Sequence, residues 1–140
     1  MNFLTRWQPQ LLSVLRIVTT LVYMQHGTQK LFHFPPSPNG GGNAPAMWSL
    51  IWFAGVIEVV GGTLLTVGVF TRFVAFIVSG EMAAAYFVAH VPQGFYPILN
   101  RGDEAVLFCF VFLYIAAAGA GPISLDAQLG RGTSMAGSAA

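Results

Sequence analysis

Charged residues are scarce in this chain, which sets the first limit on what it is. Asp, Glu, Lys and Arg make up 8% of the 140 residues, whereas hydrophobic residues make up 55%. Soluble domains carry roughly 25% charged residues, so the composition speaks against a soluble protein. The formal net charge of +1 comes with no basic stripe, and a nucleic-acid partner is therefore not expected.

Cysteine is nearly absent as well. The single Cys109 cannot form an internal disulfide, a Cys-x-x-Cys redox centre or a cysteine metal cluster by itself. His26, His33 and His90 lack the paired spacing of a metal or haem site, so no metal is expected. Any redox role would need a cofactor borrowed from elsewhere.

What the chain does contain is long apolar stretches. Four blocks, at residues 11–31, 47–70, 73–91 and 104–121, are each roughly 20 residues long, enough for a helix to cross a hydrocarbon core. The pattern predicts an all-α integral membrane four-helix bundle with antiparallel up-down topology. It divides the chain into an amphipathic N-terminal segment (1–10), one four-span domain (11–126) and a disordered tail (127–140).

The distribution of basic residues predicts the orientation. Lys and Arg are enriched on the cytoplasmic side of membrane proteins. Placing both termini in the cytoplasm puts four arginines inside and leaves two basic residues outside (Arg6, Arg16, Arg72 and Arg131 against Lys30 and Arg101). Arg16 interrupts the first apolar block and no small-x-small cleavage site follows it, so we expect this block to be retained rather than cleaved as a signal peptide.

Three ionisable residues, Arg16, Glu58 and Glu81, fall well inside the predicted spans. A charged side chain facing lipid costs at least about 2.5 kcal/mol, so each is expected to face the bundle interior. Counting the rise per residue from the span ends predicts a buried Arg16–Glu81 ion pair in the inner half. Such a pair either fixes helix register or serves a function, and the sequence leaves both open.

A second polar group is predicted in the outer half of the bundle. Helical spacing places Tyr23, His26 and Lys30 on one face of the first span, within reach of Glu58 by depth. Histidine titrates near neutrality, which favours ligand binding or proton relay over a purely structural role. The candidate residues for this site are Tyr23, His26, Gln29, Lys30 and Glu58.

Several motifs, taken in order, resemble the DoxX family of small four-span bacterial membrane proteins. They are "LRIVTTLVYMQHGTQKLF", "IEVVGGTLLTVGVFTR", "MAAAYFVAH", "NRGDEAVLFCFVFLYIAAAG" and "GPISLD". The positions that match family motifs are Arg16, His26, Gly27, Lys30, Glu58, Gly61, Gly62, Thr71, Arg72, His90, Asn100, Glu104 and Asp126. The chain departs from the family pattern in "NRGDE", where Asn-Gly-Gly-Glu is usual, and in "GAGP", where Gly-Pro-Gly is common.

Other residues in these motifs have simpler interpretations. Glu104, at the start of the fourth span, suits the positive end of a helix dipole. Asp126 is expected to cap a helix or to pair with Arg72 or Arg16. Gly61 and Gly62 allow two helix backbones to approach closely, as membrane helices require.

The resemblance implies a function in broad terms only. It points to an integral subunit of a redox-linked, quinone- or thiol-associated complex in the bacterial inner membrane, with oxidoreductase partner subunits. The alternative is a non-enzymatic scaffold, receptor or small-molecule permeation protein. Catalysis by the chain alone is not expected, because no nucleophile–base pair or cofactor motif is present. No covalent cofactor is expected; a quinone or a membrane lipid is the expected ligand, and self-association is left open.

Overall fold

The computed structural model describes residues 3–37 and 44–130, and within these ranges the chain is helical with no strands. The predicted all-α class is confirmed for this part of the chain. The α-helices are α1 (Gln8–Phe32), α2 (Leu50–Val67), α3 (Thr71–Ala85), α4 (Pro97–Asn100), α5 (Asp103–Ala118) and α6 (Leu125–Gln128). A 3₁₀ turn (Thr5–Trp7) precedes α1, and a π-helical turn (Tyr86–His90) and another 3₁₀ turn (Val91–Gln93) continue α3.

The helix ends follow local chemistry and shift two of the predicted boundaries. α1 begins at Gln8, earlier than residue 11, because Pro9 is well tolerated in the first turn of a helix. Ser49 caps α2 by accepting a hydrogen bond from the backbone N–H of Trp52. α6 extends to Gln128, so the first residues of the predicted disordered tail are helical. Residues 131–140 of the predicted tail, and residues 38–43 between the first two apolar blocks, lie outside the described residues.

Two helices in the described residues are long and apolar enough to cross a membrane. They are Leu50–Val67 and the continuous helical stretch Thr71–Gln93. α1 is longer, but Arg16, His26 and Lys30 interrupt its apolar character. α5 has only 16 residues, because the chain leaves the helix at Gly119. The two remaining predicted spans therefore rest on the sequence pattern.

Glycines bring α1 and α2 close together. α1 packs against α2, α3 packs against α5, and α2 also contacts α3. A Cβ atom at Gly27 would lie 2.7 Å from the Cβ of Glu58, and one at Gly62 would lie 3.0 Å from the Cβ of Met24. Gly61 faces Val78 of α3 in the same way. Only glycine fits at such contacts, so these residues set the distance between the helices that carry the polar side chains.

Aromatic and aliphatic side chains fill the core between the helices. Tyr23, Leu65, Phe112 and Ile115 are fully buried, and the Tyr23 and Phe112 rings meet edge to face with centroids 5.0 Å apart. Large apolar side chains on the outer faces of α3 and α5 remain exposed, among them Phe73, Phe76, Leu107 and Phe110. Exposed apolar surface on this scale is typical of a face that contacts lipid or another protein.

Candidate functional site

Five side chains from three helices form a polar cluster, defined here as Tyr23, His26, Lys30, Glu58 and Glu81. The Lys30 Nζ lies 2.5 Å from Glu58 Oε1, and the Tyr23 hydroxyl donates a hydrogen bond of 3.1 Å to Glu81 Oε2. Glu58 is 1% exposed, whereas the Lys30 side chain is 34% exposed. The cluster thus joins α1 to α2 and to α3 through side chains alone.

Glu58 is only half satisfied. Lys30 binds Oε1, but Oε2 is buried and has no hydrogen-bond partner among the described residues. A buried polar atom without a partner costs about 1–3 kcal/mol, and such atoms are uncommon in folded proteins. An ionised carboxylate oxygen is an acceptor, so a proton, a hydrogen-bond donor or a cation would satisfy it.

The charges in the cluster act on one another. Glu58 interacts electrostatically with Lys30 and His26, and Glu81 interacts with Glu58 and Lys30. A single lysine therefore faces two carboxyl groups. The excess of acceptors makes the cluster suited to holding protons or donor groups rather than anions.

His26 lies at the edge of the cluster and links it to α5. Its Nε2 is 3.4 Å from Glu104 Oε2, with 40% of the His26 side chain and 71% of the Glu104 side chain exposed. The ring of Phe108 meets His26 edge-on at 5.9 Å and Tyr23 edge-on at 5.7 Å. Glu104 is therefore more than a helix-start residue, since it pairs with the cluster through His26.

Gln29 lies apart from the cluster. Its Nε2 donates to the carbonyl oxygen of Pro35 at 3.1 Å, which ties the end of α1 to the loop that follows. The sequence placed Gln29 beside Glu58 by depth, but neighbouring residues on a helix point in different directions. Gln29 belongs to the loop contact.

The predicted Arg16–Glu81 ion pair is wrong. Arg16 is fully buried, and its guanidinium donates to four backbone carbonyls: to Ala120 at 2.9 Å, Thr66 at 2.8 Å and Ile123 at 2.5 Å, and to Leu65. Leu65 and Thr66 lie in the last turn of α2, where carbonyls have no partner within the helix. These acceptors and the helix dipole attract a cation more directly than a carboxylate elsewhere in the bundle.

Arg72 and Asp126 also form hydrogen bonds with unpaired backbone groups at helix ends. Arg72 donates to the carbonyls of Ala116 and Ala117 and, at 3.4 Å, to that of Ala118 at the end of α5. Asp126 accepts hydrogen bonds from the backbone N–H groups of Phe70 (3.0 Å) and Thr71 (2.8 Å) at the start of α3. It also interacts electrostatically with Arg16. Arg16, Arg72 and Asp126 are called the capping region below.

Comparison with known proteins identifies the family. The family model named DoxX matches residues 11–91, more than half of the chain. The chain belongs to the DoxX family. An uncharacterized protein of Haemophilus influenzae (strain ATCC 51907 / DSM 11121 / KW20 / Rd) is 47% identical over 129 residues, which cover 90% of this chain and 96% of the relative. No solved structure matches.

Membership in the DoxX family confirms the resemblance drawn from the motifs and makes the chain a membrane protein of that family. All five residues of the polar cluster, and Arg16, lie in the matched range. Glu104 and Asp126 lie beyond it, yet each contacts residues inside it. The site therefore draws on the whole described chain.

The remaining DoxX motif residues hold a loop in place. Asn100 is buried; its Nδ2 donates to the carbonyl of Gly94 at 2.5 Å, and its Oδ1 accepts from the N–H of Gly102 at 2.8 Å. His90 Nδ1 lies 3.0 Å from the carbonyl oxygen of Asn100, and its ring stacks on that of Tyr86. The π-helical turn at Tyr86–His90 places these rings against the loop.

Sequence reasoning missed two contacts of the polar cluster, those of Glu81 and Glu104. It assigned Glu81 to Arg16 rather than to Tyr23, and it gave Glu104 no partner. Glu104 lies at the start of the span predicted to enter from the same side on which α1 ends, so counting depth for all acidic residues would have placed it near His26. No group of three or more His, Cys, Asp or Glu side chains in the described residues is arranged to hold a metal ion.

Proposed function

We propose that this DoxX membrane protein is an integral subunit of a redox-linked complex, associated with quinone or thiol chemistry, and that the polar cluster is its intramembrane site. The observation that supports the proposal most strongly is the buried, unpartnered Glu58 Oε2 beside the Lys30 ammonium. Ionisable residues inside a membrane are costly and are usually kept for a function. A site that lacks a donor is one that a hydroxyl-bearing or protonated ligand completes.

The cluster fits the head group of a quinone better than it fits an anion. Lys30 and the protonated form of His26 are donors suited to a ring carbonyl oxygen, while Glu58 Oε2 is an acceptor suited to the hydroxyl of the reduced form. When bound, a quinone supplies the two-electron, two-proton chemistry that side chains lack. The protein's own part is to orient the head group and to hold a proton at Glu58, and a partner subunit carries the electron-transfer centre.

The topology is part of the same proposal. We infer four spanning helices, arranged antiparallel as an up-down bundle, in the bacterial inner membrane, with both termini cytoplasmic. Contacts in opposite chain order support it, since Gly62 meets Met24 while Gly55, earlier in α2, meets Leu31, later in α1. Reporter fusions at the two termini test the orientation, and periplasmic activity of either fusion contradicts it.

The ligand proposal is tested on protein purified from membranes in mild detergent. Quinone is extracted and quantified from the wild type and from Glu58→Gln, with Arg101→Gln as the matched control because Arg101 is exposed outside the cluster. We expect bound quinone in the wild type and the control, and at least about tenfold less in Glu58→Gln, the equivalent of about 1.4 kcal/mol. Wild-type protein with no quinone above the detergent background, and no electron transfer with any co-purified partner, contradicts the proposal.

A second candidate function is a non-enzymatic membrane scaffold. The observation that favours it is the glycine contact beside the ion pair: Gly27 lies directly against Glu58, so the Lys30–Glu58 pair also fixes the register of α1 on α2. A buried charge pair can serve register alone. Joint replacement of both charges separates the two candidates, as described in the Discussion.

A further inference from the structure

A large apolar groove opens at the capping region, away from the polar cluster. Its volume is about 1280 Å³, and it lies between the first half of α1, the start of α3, Tyr114 of α5 and residues 118–127. Thr19 is the last α1 residue that lines it, roughly 6 Å along the helix before Tyr23. The groove is therefore a separate site, larger than the 300–1,000 Å³ typical of a small-molecule pocket.

The walls of the groove are apolar along most of its length. Leu11, Val14, Leu15 and Val18 of α1 face Phe73 of α3 across it. All of these side chains are more than one-third exposed, so they are available to a ligand. Walls of this composition accept hydrocarbon chains.

The rim carries positive charge that no carboxylate in the described residues neutralises directly. Arg72 lines the groove and is exposed, and neither of the two ion pairs within the described residues involves it. Its three carbonyl contacts leave two of the five guanidinium N–H groups available. Arg6, also exposed, lies on the ring of Trp7, next to Gln8 at the groove mouth.

The other polar groups of the rim are a carboxylate that is already hydrogen-bonded and a hydroxyl. Asp126 also lines the groove, but its two carboxylate oxygens accept from the N–H groups of Phe70 and Thr71. Thr71 lines the same wall, and its buried hydroxyl oxygen has no partner among the described residues. Beside the exposed Arg72, the groove wall therefore contains a buried hydroxyl that has no partner among the described residues.

We propose that this groove binds an anionic phospholipid, with the phosphate at Arg72 and the acyl chains along α1 and Phe73. Cationic residues beside apolar surface are the feature by which membrane proteins select anionic lipids. The inference does not depend on the redox role or on the polar cluster. The capping region would then bind a lipid as well as cap the helix ends.

The test compares two lipids that have identical acyl chains and differ in the head group, one anionic and one zwitterionic. Full-length protein in detergent is titrated with phosphatidylglycerol or phosphatidylcholine of identical chains, and retained lipid is counted by native mass spectrometry. We expect about fivefold preference for phosphatidylglycerol, the equivalent of about 1 kcal/mol for one basic residue. Arg72→Gln removes the preference, and Arg101→Gln, the matched exposed arginine, keeps it.

Further variants protect the test against a folding artefact. Arg72→Lys keeps the charge and is expected to keep most of the preference, whereas Val18→Trp fills the groove and lowers retention of both lipids equally. Equal binding of the two lipids by the wild type overturns the proposal, as does an equal loss in Arg101→Gln. Complete displacement by inorganic phosphate, or a gain in lipid binding when the chain is ended at Gly130, also overturns it, because the occupant would then be free phosphate or the terminal segment.

Discussion

The polar cluster and the capping region both contain buried charged groups, but the hydrogen bonds of the two regions go to different partners. In the capping region, Arg16 donates to four carbonyls and Asp126 accepts from two backbone N–H groups. In the cluster, Lys30 and Tyr23 bind carboxylates, and Glu58 Oε2 has no partner in the described residues. A buried charge is thus a stronger sign of a ligand site where the backbone does not satisfy it.

The difference follows from where each charge lies relative to helix ends. The last four carbonyls and first four N–H groups of a helix have no partner within that helix, so a charged side chain near them is satisfied at once. Glu58 and Glu81 lie in the interior of α2 and α3, where the backbone groups are already paired. Such residues are left with other side chains, with protons or with a ligand.

Removing the Arg16 guanidinium should have the largest effect. Arg16→Met keeps an unbranched apolar side chain but leaves several buried carbonyls without donors, each at a cost of about 1–3 kcal/mol. We expect the free energy of unfolding in detergent to fall by at least about 4 kcal/mol, and the quinone content of the remaining folded protein to be unchanged. Arg16→Lys, with fewer and differently directed donors, should lie between the two.

Arg101→Gln, at an exposed position, should change stability by less than about 0.5 kcal/mol. A stable Arg16→Met protein that has lost its ligand would place Arg16 in the functional site, and the division into a structural and a functional region would then be wrong.

Replacing Lys30 should be the next most damaging change. Lys30→Met leaves the Glu58 carboxylate buried without its counter-charge, which typically costs about 3 kcal/mol or more. Adding Glu58→Gln should restore most of the loss, since the unpaired charge is then gone. Chemical denaturation of the two single variants and the double variant completes a double-mutant cycle.

The same double variant separates the two candidate functions. If the pair forms a quinone site, the double variant should be stable but should bind no quinone, because both charged groups that contact the ligand are gone. If the pair only fixes the register of α1 on α2, the double variant should bind partners and ligands as the wild type does.

The glycine contact supporting the cluster offers a matched pair of variants. Gly27→Ala places a Cβ atom 2.7 Å from Glu58 and 2.9 Å from the carbonyl oxygen of Gly55, and overpacking of this kind costs about 1–3 kcal/mol. Gly80→Ala, also within a helix but with open space at its Cβ, should stabilise the protein by about 0.5–1 kcal/mol. Thermal unfolding of both variants checks the opposite signs; equal signs would contradict the close approach of α1 and α2.

The sequence could predict the family, the all-α class and the Lys30–Glu58 neighbourhood, since each depends on periodicity and spacing along single helices. It could not choose the partner of Glu81. Counted along the helices, Arg16, Glu81 and Tyr23 lie roughly 8, 13 and 18 Å from the same side, so depth places Glu81 equally far from both. Glu81 pairs with Tyr23 because Arg16 is occupied by backbone carbonyls at the end of α2 and in the segment that follows α5. Those contacts depend on how the helices pack, and no pattern along the sequence indicates them.

The smallest expected effect concerns the edge of the cluster. His26 and Glu104 are 3.4 Å apart and both substantially exposed, and exposed pairs contribute only about 0–1 kcal/mol. His26→Gln, Glu104→Gln and the double variant should therefore change stability by less than about 1 kcal/mol each, with a coupling that disappears as salt concentration rises. If His26→Gln nevertheless reduces quinone retention while Glu104→Gln does not, His26 contacts the ligand rather than serving the pair. A large, salt-independent coupling would instead show that this edge of the cluster is closed to solvent, in conflict with the exposure of both side chains.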